Sequence, residues 1–285
     1  MPVAVLTEVW RLLPYDHGSV REHLARVEAL VRHAASRPPS VWWHSTDDTL
    51  ILAGPGIERR LGTGLPAATP TPDQGRPVRP GEPLTDGEDG RRTATVLRRP
   101  TGGGAVLTGP GLLAGEAALP AGHPLLTGDV VEDYRWLGSV WCSALMGLGV
   151  RPALVGVAEA RRSVKTVDPE DDLRLACFGL LSPFEVTVNG RKLVGLSQVR
   201  RRGGVVFSWA IHTLMPPSDL ACRLDLPRSR QEALASGLRA RAASLSELGV
   251  RAGEEEVMRA FRQALRQATG VHLRRGRWTR AETRE

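Results

Sequence analysis

The stretch from Cys177 to His212, CFGLLSPFEVTVNGRKLVGLSQVRRRGGVVFSWAIH, holds the residues best suited to covalent chemistry. Glu185-Val-Thr-Val reads as a short strand of β-formers. Asn189-Gly190 is the strongest two-residue hairpin turn signal, and Arg191 to Val199 reads as the return strand. This sets Lys192 just past a tight turn, fifteen residues after Cys177. The chain has 38 basic Lys and Arg residues, yet Lys165 and Lys192 are its two lysines, so arginine is the default cation here. An ammonium is a compact point charge that can shift its pKa and approach a thiol or a phosphate, as a planar guanidinium does not. The same residues also fit an ordinary surface hairpin with a solvated lysine and an inert core cysteine.

A second candidate lies upstream, where a strand over Thr93 to Arg99 runs into Pro100-Thr-Gly-Gly-Gly-Ala-Val-Leu107. Gly102, Gly103 and Gly104 let backbone N–H groups approach a ligand with no side chain in the way, and Arg98 and Arg99 add positive charge. The run lacks the spacings of a dinucleotide fingerprint or a P-loop, so by itself it is either a tight turn or a ligand cradle. Cys142, Cys177 and Cys222 form neither a close pair nor a metal-ligand spacing. No metal site is expected, and free thiols fit a reducing compartment. His44, in the polar run before Asp48, is either a site residue near this turn or, as a lone histidine more often is, a surface or capping residue.

The 285 residues suffice for one or two domains, and 41% hydrophobic with 24% charged residues is an ordinary globular composition. No apolar run approaches a membrane span, and the N-terminal stretch is too short and too acidic for a signal peptide, so a cytoplasmic location is expected. The formal charge of +7 favours acidic partners. Neither an aromatic-basic stacking motif nor a zinc-finger spacing supports nucleic acid.

The positioning elements follow from periodicity. Residues 3 to 13 read as a strand, and Val20 to Ser36 as a helix capped by Ser19. Val41-Trp-Trp and Thr49 to Ala53 read as two strands of a hairpin. Residues 61 to 90, rich in Pro, Gly, Thr and Asp, read as a linker or a substrate lid. A strand is expected over Leu112 to Leu119, a helix over Asp129 to Leu148 ended by Gly149, a strand over Leu154 to Val157, and a charged connection over Arg161 to Leu173. Gly204 to Ile211 is a further strand. Helices follow over 232–241, 244–248 and 254–268, with Gly270 as a cap and a frayed basic tail after Leu273. The whole is an α+β fold with helices on one side of a mixed sheet. Residues 1–225 form the main domain, and the helices of 226–285 pack on it.

Arg98-Arg-Pro-Thr-Gly-Gly-Gly-Ala-Val106, then Cys177-Phe, then Asn189-Gly-Arg-Lys-Leu-Val-Gly-Leu-Ser-Gln198 resemble, in that order, the biotin/lipoate protein ligase superfamily. The likeness is greatest to the cysteine-dependent octanoyltransferases and lipoyl amidotransferases of protein lipoylation, and it runs from Trp10 to about Leu273. It implies a single catalytic domain of that superfamily's mixed-sheet type. It also implies that Cys177 carries an octanoyl or lipoyl group as a thioester to a lysine of a lipoyl domain, with Lys192 beside the thiol to favour its anion. Substrate would be held by Arg98, Arg99, Gly102, Gly103, Gly104, Ala105, Gly195 and Ser197. The implied partners are acyl carrier protein and lipoyl domains, such as the glycine cleavage H protein and dehydrogenase E2 subunits. No cofactor is needed on this route. The superfamily's ligases use ATP and Mg to make an acyl-adenylate instead, and a degenerate paralogue would bind carriers without turnover. The chain differs from the usual pattern in having Thr108-Gly109 where a His-Asp pair is common, His23 to Glu28 where an Asn and an Asp are common, and Gly195-Leu-Ser197 after the lysine.

Overall fold

Asn189 and Gly190 turn the chain with positive φ at both positions, 50° and 74°, the geometry a two-residue hairpin turn demands. The computed structural model describes residues 6–61 and 94–283. Of the expected loop at 61–90, all but Leu61 lies outside the described residues. In chain order the elements are β1 (Val9–Leu12), β2 (Asp16–His17), α1 (Val20–His33), β3 (Ser40–Ser45), β4 (Ile51–Ala53), α2 (Ile57–Arg60), β5 (Val96–Arg98), β6 (Val106–Leu107), β7 (Leu112–Pro120) and α3 (Arg135–Gly147). There follow β8 (Pro152–Leu154), α4 (Val157–Lys165), β9 (Val186–Val188), β10 (Arg191–Arg201), β11 (Gly204–His212), α5 (Arg228–Arg241), α6 (Glu254–Thr269), β12 (His272–Arg275) and α7 (Arg280–Thr283).

The strands form a large mixed sheet in the order β12-β1-β3-β7-β11-β10-β9-β8, with β2 added beside β3, and a small sheet in the order β5-β4-β6. The fold is mixed sheet and helix, as expected, but helices cover both faces of the large sheet. The reason lies in β3, whose adjacent Trp42 and Trp43 are both buried. Neighbouring strand residues point to opposite faces, so both faces must be covered. Trp43 packs with Trp141 of α3 and Phe261 of α6, whereas Trp42 packs under Val27, Leu30 and Val31 of α1. Ser19 caps α1 reciprocally with Glu22, as the sequence predicts.

Several expectations are corrected. β3 and β4 do not pair with each other: β3 stays in the large sheet and β4 joins the small one. The intervening polar run makes its own bonds, with Asp48 N–H donating to Thr46 Oγ1 and Val20 N–H donating to the Asp48 carboxylate, which turn the chain away from a hairpin. Among the described residues of the strand expected over 3–13, β1 covers Val9–Leu12, residues 3–5 lying outside the described residues, and the strand expected at 154–157 is found as β8. The charged connection at 161–173 contains most of α4, whose buried face is Ala160 alone, too little apolar signal to read. The tail is not frayed: β12 pairs parallel with β1, and buried Glu282 accepts from Arg11 at 2.8 Å. Its arginines point outward, so this remote edge pairing leaves no apolar pattern.

Gly138 in α3 has a packing function. A Cβ there would lie 2.1 Å from the carbonyl oxygen of Phe184, a buried residue held at φ 64°. Gly138→Ala gains helix propensity but overpacks this contact. We expect it to lower stability by about 1–3 kcal/mol in urea denaturation.

Candidate active site

The hairpin delivers Lys192 into the interior rather than to the surface. Its side chain and that of Glu185 are each 1% exposed, and Nζ lies 2.6 Å from Glu185 Oε1. Nζ also donates to the carbonyl oxygens of Cys177 at 2.7 Å and Leu180 at 3.3 Å. An ammonium has three donors, and these three acceptors engage them. Glu185 is fixed in turn, because it accepts from Leu196 N–H at 3.1 Å and Ser182 N–H at 2.7 Å. Burial raises the Glu185 carboxyl above its usual range, against the opposing pull of the Lys192 ammonium and these two amides. The resemblance sets Lys192 beside the thiol, and its Nζ is engaged by Glu185 and by the carbonyls of Cys177 and Leu180. Lys192 grips the main chain of Cys177, and its charge is paired.

From the other side the glycine run is stitched to the same segment. Ala105 N–H donates to Leu175 O at 2.6 Å and Cys177 N–H donates to Ala105 O at 2.9 Å. This approach requires Gly104: a Cβ there would stand 2.5 Å from the amide nitrogen of Cys177. Gly103, at φ 101°, brings its ideal Cβ position to 3.8 Å from Cys177 Sγ and 2.8 Å from Arg99 Nη2. Arg99 is buried and donates to Gly102 O at 2.7 Å, which braces the loop. Arg98 is exposed.

Cys177, half-buried and unpaired, opens onto a cleft of about 820 Å³ including its mouth, between α1, the large sheet and the small one. Of the residues singled out from sequence, Cys177, Arg99, Gly195 and Ser197 line this cleft, while Arg98, the three glycines, Ala105 and Lys192 are outside its lining. Gly195 sits over the lysine stem, since a Cβ there would meet Lys192 Cε at 3.3 Å and the Phe178 ring at 3.4 Å. Thr108 lines the wall as a strut, donating to Asp48 O at 2.6 Å and accepting from Leu50 N–H at 3.1 Å.

Glu116, which also lines the cleft, escaped the sequence reading, while His23 and His44 were singled out there without a settled role. His44 is not a surface residue. It is buried in β3, with Nε2 3.1 Å from Glu116 Oε2. Glu185 escaped as well, although a carboxylate opening a run of β-formers was a signal that it needs a buried partner. Burial pushes the His23 imidazole down to about 3, with the neighbouring His44, Arg26 and His17 charges acting in the same direction. Burial likewise pushes His212 to about 3; its ring packs edge-on against Phe178 at 4.7 Å.

The chain belongs to the lipoyl protein ligase A/B catalytic domain family, whose profile matches residues 87–266. It is 28% identical to octanoyltransferase LipM of Kyrpidia tusciae over 98% of this chain and 93% of that protein. It is 31% identical to octanoyltransferase LipM of Symbiobacterium thermophilum over 66% of this chain and 67% of that protein. Among solved structures it shares its fold with a bipartite lipoate protein ligase of Thermoplasma acidophilum. There the TM-score is 0.65 and the identity 18%, covering 96% of this chain and 89% of that one. A lipoate-protein ligase A bound with ATP has a TM-score of 0.62 at 17% identity, covering 96% of this chain and 91% of that one.

Two outcomes follow. Lys192→Met strands the Glu185 carboxyl in the core and should cost about 3–5 kcal/mol by chemical denaturation, whereas Lys192→Met combined with Glu185→Leu should recover most of that loss. His23 and His212 have folded values below the ordinary imidazole value, so the unfolded chain binds more protons between about 3 and 6.5. Their stabilisation is complete above that window and is lost as pH falls through it. We expect a slope of about 1.4 kcal/mol per pH unit for each, read from urea midpoints, with His212→Phe removing one share.

Proposed function

We propose that the protein is an acyltransferase of protein lipoylation that moves an octanoyl group through a thioester on Cys177 to a lysine of a lipoyl domain. The observation that carries this reading is the placement of the Cys177 thiol on the wall of the cleft, with its main chain held by Ala105 on one side and by Lys192 on the other. The relatives named octanoyltransferase supply the octanoyl group, and the Thermoplasma structure concerns a lipoate protein ligase and its E2 lipoyl domain.

The chemistry consists of two balanced exchanges. In the first, Cys177 Sγ, as its thiolate, attacks the carbonyl carbon of the donor thioester. The new S–C bond forms, the donor S–C bond breaks, and the released thiolate takes up the proton that Cys177 gave to solvent or base. In the second, the neutral acceptor amine attacks the same carbon, the C–N bond forms, Sγ leaves, and the amine proton is lost. A thioester already carries the activation that amide formation needs, so no nucleotide enters this route. Lys192 and Glu185 are positioning residues: a fixed Cys177 carbonyl limits where Sγ can lie relative to the bound carbonyl carbon. The net charge of +7 suits acidic donors such as acyl carrier protein, with the H protein and E2 subunits as acceptors. Among the described residues no helix is long and apolar enough to cross a membrane.

Incubation with octanoyl-acyl carrier protein should add one octanoyl mass to the peptide holding Cys177, and Cys177→Ala should abolish both the adduct and transfer to a lipoyl domain. Cys177→Ala that retains full transfer, or ATP–pyrophosphate exchange driven by octanoate or lipoate, would establish the adenylating route instead.

A further inference from the structure

The cleft has a second chemically distinct end. Registered strand pairs place it: Gly195 opposes Ala210, Ala210 opposes Ala114, and Ala114 opposes His44. Three strand spacings separate Gly195, beside Phe178, from His44, about 14 Å across the sheet. One row further along the strands, Glu116 opposes Ser208, and Ser208 opposes Ser197. His44, Glu116, Ser208, Ser197 and His23 all line the cleft. Beyond them Val199, Val206 and Ala118 close the floor beneath Val27, Leu30 and Val31 of α1.

This end suits a hydrogen-bonding guest better than a methyl group. Both Glu116 oxygens face the same His44 Nε2, at 3.1 and 3.4 Å, so one N–H is shared by a group that can accept about four bonds. Trp42 stacks on the His44 ring at 4.5 Å and fixes its plane. His23, 3% exposed, has its Nε2 without a hydrogen-bond partner; it lies 3.2 Å from Asp16 Oδ2, outside bonding geometry. Nor is the pair required to hold β3 against β7, which are already registered residue by residue from Ser40 to His44. A saturated alkyl end placed here would desolvate acceptors without satisfying them.

We propose that the β3 end of the cleft binds a hydroxyl carried near the far end of a medium-length acyl chain, through Glu116, His44 and His23. The protein then transfers such an oxygenated chain in preference to the unsubstituted chain of the same length. This inference rests on the Cys177 thioester reading and adds a specificity determinant to it. The half-buried Ser197 and Ser208 hydroxyls flank the same guest.

The test offers the protein an equimolar mixture of octanoyl- and 8-hydroxyoctanoyl-acyl carrier protein and follows the two adducts on Cys177 by intact mass. The hydroxylated adduct should form about tenfold faster, the scale of one well-made buried hydrogen bond. In Glu116→Gln, which keeps the shape of the side chain, the ratio should fall to within about twofold of unity, and in Glu116→Leu the octanoyl adduct should lead. Equal or faster octanoylation of the wild-type protein overturns the specificity proposal and leaves the Cys177 reading standing. A hydroxyl preference that survives both substitutions also overturns it. Absence of either adduct on folded protein removes the Cys177 reading and this proposal together.

Discussion

The site depends on one buried ammonium. Lys192 places its three donors on Glu185, on the carbonyl of Cys177 and on the carbonyl of Leu180, with its charge paired at 2.6 Å. Burying that charge is tolerable because both ions are hydrogen-bonded to fixed groups, and the return is geometric rather than energetic. The loop carrying Cys177 is tied to the start of β10. Cys177 sits on that loop.

The arrangement relies on close approaches that side chains would block. Gly104 admits the Cys177 amide, Gly195 admits the lysine stem, and Gly138 admits the backbone of Phe184 just before Glu185. Each removes a Cβ where two main chains, or a main chain and a buried cation, must nearly touch. The triple-glycine run therefore serves more as a joint between the small sheet and the Cys177 segment than as a wall of the cleft. Arg99 braces it from below, whereas Arg98 faces solvent.

Much of this was legible in the chain itself. The Asn189-Gly190 turn, the rarity of lysine and the Cys177-Phe178 pair pointed to the segment that meets this cleft, and the Ser19 cap and the Gly270 terminus marked helix ends. What escaped was set by long-range pairing. Trp42 and Trp43 say that β3 is covered on both faces, but not by which helices. Glu116 sits in a strand of small apolar residues, where its partner, 72 positions away, leaves no local pattern. The resemblance sets Lys192 beside the thiol, while its acceptors lie on residues that sequence spacing does not rank. The described cleft also differs from a purely apolar slot, since imidazoles and a carboxylate stand at the end away from the thiol.

The direct measurement is a crystal structure of the protein trapped with an octanoyl group on Cys177. The expected result is a thioester on Sγ with the chain lying in the cleft between α1 and the large sheet, and Lys192 Nζ still bonded to Glu185 and to the Cys177 carbonyl. A lysine swung out of the core onto the thioester oxygen, or a chain lying outside the cleft, would contradict it.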